Sequence, residues 1–130
     1  MIQSLLGFEC TNTILYCRHW AETAHFYETK LCLPVSFEND WFIEFRLTDG
    51  TFLSIANAVR TSIDDVQGQG VTLAWKVPNL GRAKQLLEDR GITTTVIQQK
   101  WNAQVFYLFD PEGHRIELWT DGCRIEGQIG

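Results

Sequence analysis

The chain has 130 residues, one domain's worth, and at that length it can bury roughly two-thirds of the surface its unfolded form exposes. A hydrophobic content of 45% with 21% charged residues speaks against a disordered chain. A net charge of −5 with no basic run speaks against a nucleic-acid partner, and nowhere do about eighteen apolar residues follow one another as a membrane span needs.

The amino-terminal stretch, MIQSLLGFEC, has neither a basic region nor a long apolar run, so neither export nor membrane insertion is expected and the cytoplasm is the expected compartment. The four cysteines, Cys10, Cys17, Cys32 and Cys123, form no CxxC pair and no zinc-finger spacing, and they read as reduced thiols. Cys17 and Cys32 sit among apolar neighbours, as buried small hydrophobes would. Five Trp and eight Phe exceed what so small a core usually needs, which points to an aromatic-lined cavity or an interface, or else to a simply aromatic core.

Thr11 to Cys17, TNTILYC, is β-rich and predicts a strand. A short bend at Arg18 to Trp20 leads into a helical pattern over Ala21 to Leu31, with Ala24, Tyr27 and Leu31 at three- and four-residue spacing and Phe26 widening the face. Pro34 stops the helix, and Val35 to Glu38 is extended. Trp41 to Leu47 and Thr51 to Ala56 predict two strands around Asp49-Gly50, a hairpin signal. Asn57 to Gly70 is polar and reads as a linker.

The same order then recurs. Val71 to Val77 predicts a strand, Pro78 to Leu80 a bend, and Gly81 to Arg90 a helix with Ala83, Leu86 and Leu87 on one face and Gly91 just past its end. Thr93 to Ile97 predicts a further strand. Val105 to Thr120, VFYLFDPEGHRIELWT, reads as strand, tight turn and strand, with Pro111 and Gly113 as turn residues. If Ile116 and Leu118 face a core, alternation places Arg115, Glu117 and Trp119 on the other face. The tail from Asp121 to Gly130 is glycine-rich and expected to be loosely held.

The halves superpose as sequences. Asn12, Ile14, Tyr16 and Phe26-Tyr27 correspond to Thr72, Ala74, Lys76 and Leu86-Leu87 at an offset of sixty, and Ser54 corresponds to Glu117 at sixty-three. A duplicated βαβββ unit accounts for this. Each helix then packs on one face of its sheet, and the opposite faces line a shared cleft.

This order, with Phe26-Tyr27 in the first helix, the Asp110-Pro111-Glu112-Gly113 turn and the closing Ile116-Glu117-Leu118, resembles the vicinal oxygen chelate superfamily of glyoxalases, bleomycin-resistance proteins and extradiol dioxygenases. The resemblance runs from about Phe8 to Asp121. It implies an α+β fold in a single domain, residues 1–130, built of two tandem βαβββ modules, about 8–57 and about 71–121. The modules would form a cupped, mostly antiparallel sheet with helices on the outer face. A site inside the cup and a homodimer are also implied.

In the superfamily's metalloenzymes, His, Glu or Gln side chains hold a divalent ion at four symmetric places. Those places fall on Asn12, Ser54, Thr72 and Glu117, of which only Glu117 is a customary ligand for Mn, Fe, Ni or Zn. No metal ligand other than Glu117 is expected, and His19, His25 and His114 read as surface or partly packed histidines. In the superfamily's orientation the inner face carries Asn12, Tyr16, Arg18, Phe52, Ser54, Thr72, Lys76 and Trp119 as candidate ligand-binding residues. Glu117 is the candidate general base, or it holds a ligand amine or amide, or it pairs with Arg18 or Lys76. The function expected is metal-free sequestration of a small, partly aromatic molecule. The alternatives are a divalent-metal lyase or dioxygenase, and an interaction module without a ligand.

Overall fold

The computed structural model describes residues 5–122, so the expectations for Cys123 and for the tail beyond Gly122 lie outside the described residues. The chain divides into two compact units, the first ending at Val66 and the second beginning at Gln67. The first unit contains β1 (Thr11–Cys17), α1 (Trp20–His25), β2 (Val35–Glu38), β3 (Phe42–Thr48) and β4 (Thr51–Asn57). The second contains β5 (Thr72–Lys76), α2 (Leu80–Asp89), β6 (Gln98–Lys100), β7 (Ala103–Phe109) and β8 (Arg115–Asp121). Each unit holds one four-stranded sheet, in the orders β1-β4-β3-β2 and β5-β8-β7-β6. The fold is α+β, with one βαβββ module in each unit.

Within each sheet the first and last strands of the unit run parallel and the remaining pairs are antiparallel. Ile14 lies opposite Ser54 in β1–β4, and Ala74 lies opposite Glu117 in β5–β8. These four residues are the ones the sequence offsets pair, so the duplication holds at the level of ladder register. Alternation sorts the faces: Leu15, Cys17, Ile43, Phe45, Leu53 and Ile55 form the core of the first unit, and Leu73, Phe106, Leu108, Ile116 and Leu118 that of the second.

The first helix departs from the expected single α-helix. After His25 it widens into a π-helical turn over Phe26–Lys30, marked by the Leu31 N–H donating to the Phe26 carbonyl at 3.0 Å. The extra residue in the turn lets adjacent Phe26 and Tyr27 both reach the core, where their rings meet edge to face at 5.3 Å. Trp20 ties the start of the helix to the sheet, its indole N–H donating to the Ile55 carbonyl at 2.8 Å. Cys32 is not buried. It takes φ +57° just past the helical turn, which swings its thiol outward to donate to the Thr29 carbonyl at 3.4 Å. Cys17 is buried as expected.

The second helix starts on Asn79, whose side chain accepts the Arg82 N–H at 3.0 Å. It ends where Ile92 N–H donates to the Leu87 carbonyl and Gly91 N–H to that of Glu88, with Gly91 at φ +77°. Leu80 and Leu87 are its buried residues, while Leu86 is exposed, because a seven-residue step keeps Leu80 and Leu87 on one line and Leu86 falls a residue short of it.

Thr93 to Ile97 is no regular strand; the edge strand is β6, further along. Thr95 N–H donates to the Tyr107 carbonyl, but the Tyr107 N–H is taken by the Thr95 hydroxyl at 2.8 Å in place of a main-chain carbonyl. A side chain interrupts the ladder there.

Two local features carry testable costs. Gly68, at φ +79°, lies so close to the closing turn that a Cβ on it would overlap the Gly113 carbonyl and the His114 nitrogen. Trp101, at the tip of the β6–β7 hairpin, is 85% exposed and sits at φ +54°, a conformation that disfavours any residue with a Cβ. Gly68→Ala should therefore destabilise the protein by several degrees in thermal unfolding followed by circular dichroism. Trp101→Gly should raise the midpoint by a few degrees, in keeping with about 1 kcal/mol of relieved strain.

Candidate functional site

In the first unit the two inner ladders align side chains in rows across β1, β4 and β3. Asn12, Phe52 and Arg46 form one row, Ile14, Ser54 and Glu44 the next, and Tyr16, Ala56 and Phe42 the third. All nine point away from the helix-covered core. The middle of this face is a hydrogen-bonded chain. The Ser54 hydroxyl donates to Asn12 Oδ1 at 2.9 Å, Asn12 Nδ2 donates to Glu44 Oε2 at 3.2 Å, and the Ser36 hydroxyl donates to Glu44 Oε1 at 2.7 Å. Glu44 is thus a site-face carboxylate that the sequence reading passed over, although Ile43 and Phe45 as core residues place it there by alternation.

The third row opens into a cavity of about 350 Å3. Ala56, which is fully buried, lines it together with Tyr16 and Phe42, one strand away to either side. Two strand spacings, about 9.5 Å, separate the backbones that carry those two aromatic side chains. Trp41 stands edge-on to Phe42 at 5.5 Å and extends the wall. Arg60, Ser62 and Ile63 complete the rim from the segment after β4, which the sequence presents as a linker. Asn57 organises that segment by accepting the Val59 N–H on its side chain, which starts the 3-10 turn Ala58–Arg60.

The second unit answers the same rows differently. Thr72, Arg115 and Phe109 form its first row, Ala74, Glu117 and Tyr107 its second, and Lys76, Trp119 and Val105 its third. Where the first unit has Ala56, the second has Trp119, with the Lys76 ammonium 5.2 Å from its ring centre. Tyr107 is flanked by cations: the Arg115 guanidinium lies 4.6 Å from the ring centre, and Lys100 lies 5.3 Å away and donates to the phenol oxygen at 3.1 Å. With Phe106 and Leu108 buried in the core, alternation puts Tyr107 on the site face opposite Glu117.

Glu117 is half-buried in the middle row, and among the described residues no ion pair is made to it. Lys76, in the same unit, pairs with Asp121 at 3.0 Å rather than with Glu117, and in the first unit Arg18 pairs with Asp65 at 3.5 Å. Arg18 stands apart from the third-row cavity, in a second hollow of about 280 Å3 with His19, Trp20 and Glu22 at the start of α1.

His19 and His25 are exposed, whereas His114 is buried in the closing turn with Nδ1 donating to Asp110 Oδ2 at 2.8 Å. The other Asp110 oxygen accepts the N–H groups of Glu112, Gly113 and His114, each at 2.9 Å. The DPEG turn is therefore pinned by a buried carboxylate and its imidazole.

The donor set does not suit a divalent metal. In the first unit Asn12 and Ser54 are bonded to each other, and in the second the Thr72 hydroxyl accepts from Arg115 Nε at 3.0 Å. Amide and hydroxyl oxygens already engaged in this way are poor ligands for Mn, Fe, Ni or Zn, and Glu117 is the single carboxylate among the four positions. Among the described residues no three His, Cys, Asp or Glu side chains converge.

A model of the Glyoxalase-like domain matches residues 10–121. The chain belongs to that family, within the vicinal oxygen chelate superfamily. Solved structures share the fold of this glyoxalase-like chain. A glyoxalase/bleomycin resistance protein/dioxygenase from Nocardioides superposes with a TM-score of 0.74 at 24% identity, covering 92% of this chain and 88% of that one. A lactoylglutathione lyase from Agrobacterium tumefaciens gives 0.71 at 16% identity, covering 85% and 91%. A glyoxalase-related enzyme from Fulvimarina pelagi gives 0.67 at 16%, covering 92% and 95%. No significant match emerges among curated proteins. No helix among the described residues is long and apolar enough to cross a membrane.

The donor chemistry makes a prediction. After incubation with Mn, Fe, Ni and Zn salts and desalting, elemental analysis should find far less than one ion per chain. About one tightly held ion would mean that other side chains, or a second chain, supply the ligands.

Proposed function

We propose that this glyoxalase-like protein binds and sequesters a small, partly aromatic molecule without a metal. The observation that carries the reading is the third row of the first unit, where alanine stands between two aromatic walls over a cavity of about 350 Å3. That volume lies in the range of small-molecule pockets, and its make-up is of their kind, apolar walls with few polar groups at one end. A ligand ring against Tyr16, Trp41 and Phe42 gains stacking and removes apolar surface from water, at about 25 cal/mol per Å2 before ordering costs. The repeat supports the same unit as host, because Trp119 occupies the corresponding place in the second.

Each unit keeps its own candidate contacts: Asn12, Phe52 and Ser54 on the site face of the first, and Thr72, Lys76 and Glu117 on that of the second, where Glu117 suits a ligand amine or amide. A cytoplasmic homodimer belongs to this reading as the superfamily's habit implies. Sequestration needs affinity and a slow release, and neither calls on a catalytic group.

The test is calorimetric titration with a neutral bicyclic aromatic alcohol, naphthalen-2-ylmethanol. Saturable binding to the wild-type chain is expected, with about a tenfold loss in both Tyr16→Ala and Trp41→Ala. Absent binding, or affinity unchanged in both variants, would remove the first-unit cavity as the host.

A further inference from the structure

Resting on the binding reading above, the geometry points to a planar aromatic carboxylate as the ligand class of the first-unit cavity, with Arg60 as the specificity residue. The cavity is one-sided. Ile14, Tyr16, Trp41, Phe42 and Ala56 make an apolar body, while Arg60 is the one charged side chain among those that line it and Ser62 stands beside it at the rim. A ligand that fills the body places its outer end at a guanidinium.

Arg60 is poorly committed to its present partner. Its Nη1 lies 3.7 Å from Asp40 Oδ2, beyond hydrogen-bonding distance, and the two side chains are 52% and 79% exposed. A pair so open to water contributes little and is readily exchanged. A ligand carboxylate offers the guanidinium two oxygens in one plane, which its N–H groups can meet with parallel, charge-assisted bonds. The exchange leaves Asp40, already mostly solvated, in water. Asp40 precedes Trp41 directly, so the competing carboxylate sits where the aromatic wall meets the rim.

The charge of the whole chain, −5, opposes an anion at long range. Screening limits that opposition, since at physiological ionic strength the Debye length is about 8 Å and a contacting guanidinium acts well inside it. The preference for a carboxylate should accordingly survive added salt better than a preference that arose from steering.

The experiment compares three ligands with one ring system, 2-naphthoate, naphthalen-2-ylmethanol and naphthalen-2-ylmethylammonium, by calorimetric titration of the full chain. The carboxylate should bind about tenfold more tightly than the alcohol, and the ammonium more weakly than either. Arg60→Gln should abolish the difference between carboxylate and alcohol, lowering carboxylate affinity about tenfold. Asp40→Asn, by freeing the guanidinium, should enlarge it. Both residues are exposed, and matching thermal unfolding curves would verify that the variants fold. Equal affinity of carboxylate and alcohol in the wild type, a preference that survives Arg60→Gln, or tighter binding of the ammonium would each overturn the inference and leave the aromatic pocket standing. Failure of all three ligands would instead overturn the binding reading itself.

Discussion

The parallel ladder between the first and last strands of each unit is the constraint from which the rest follows. Once β1 is in register with β4 and β4 with β3, the identity of every row is settled, and a one-residue slip would exchange the core for the site face throughout the sheet. In the first unit this register brings Tyr16, Ala56 and Phe42 into line although they are far apart in sequence. In the second it brings Lys76, Trp119 and Val105 into the same place. The cavity lies along a row that has a methyl group at its centre. In the second unit an indole stands at the corresponding place.

The duplication has allowed the two faces to diverge while the ladders stayed the same. The carboxylate of the first face comes from β3, as Glu44, and is held by Ser36 and Asn12. That of the second comes from β8, as Glu117, next to a tyrosine flanked by an arginine and a lysine. Two copies of one scaffold therefore present an aromatic hollow and a cation–aromatic surface. The superfamily's four-point metal pattern has no equivalent in this donor set.

Much of this was legible in the sequence, and the failures have physical causes. The strands showed through because Leu15, Cys17, Ile116 and Leu118 alternate with polar or aromatic partners, and the repeat showed through because alternation is preserved at a fixed offset. The π-helical turn was hidden, since Phe26-Tyr27 suits an α-helix until the core demands that both rings turn inward. Thr93 to Ile97 has strand composition, but a threonine hydroxyl replaced the ladder bond, and composition is blind to that substitution. Among site residues, Tyr16 followed from alternation in the orientation that the superfamily resemblance implies. Glu44 and Tyr107 would have followed had the same alternation been carried to the neighbouring strand. Arg60 and Ser62 lie in irregular chain, where no period exists to assign a direction, so only the fold brings them to the rim.

The pairing of first strand with last has a bearing on how the chain acquires its structure. Partners in the β1–β4 ladder, such as Thr11 and Thr51, and in the β5–β8 ladder, such as Thr72 and Arg115, lie some forty residues apart in sequence, and the chain between them must be gathered before a single bond of either ladder can form. Closing such a loop costs entropy that no local contact repays in advance, so folding should be slow for a chain of this size and governed by the late joining of distant strands. On the ribosome, neither sheet can be completed until its closing strand has emerged. Until then β1 presents an unpaired edge beside a half-built core, the kind of surface that invites pairing with another chain.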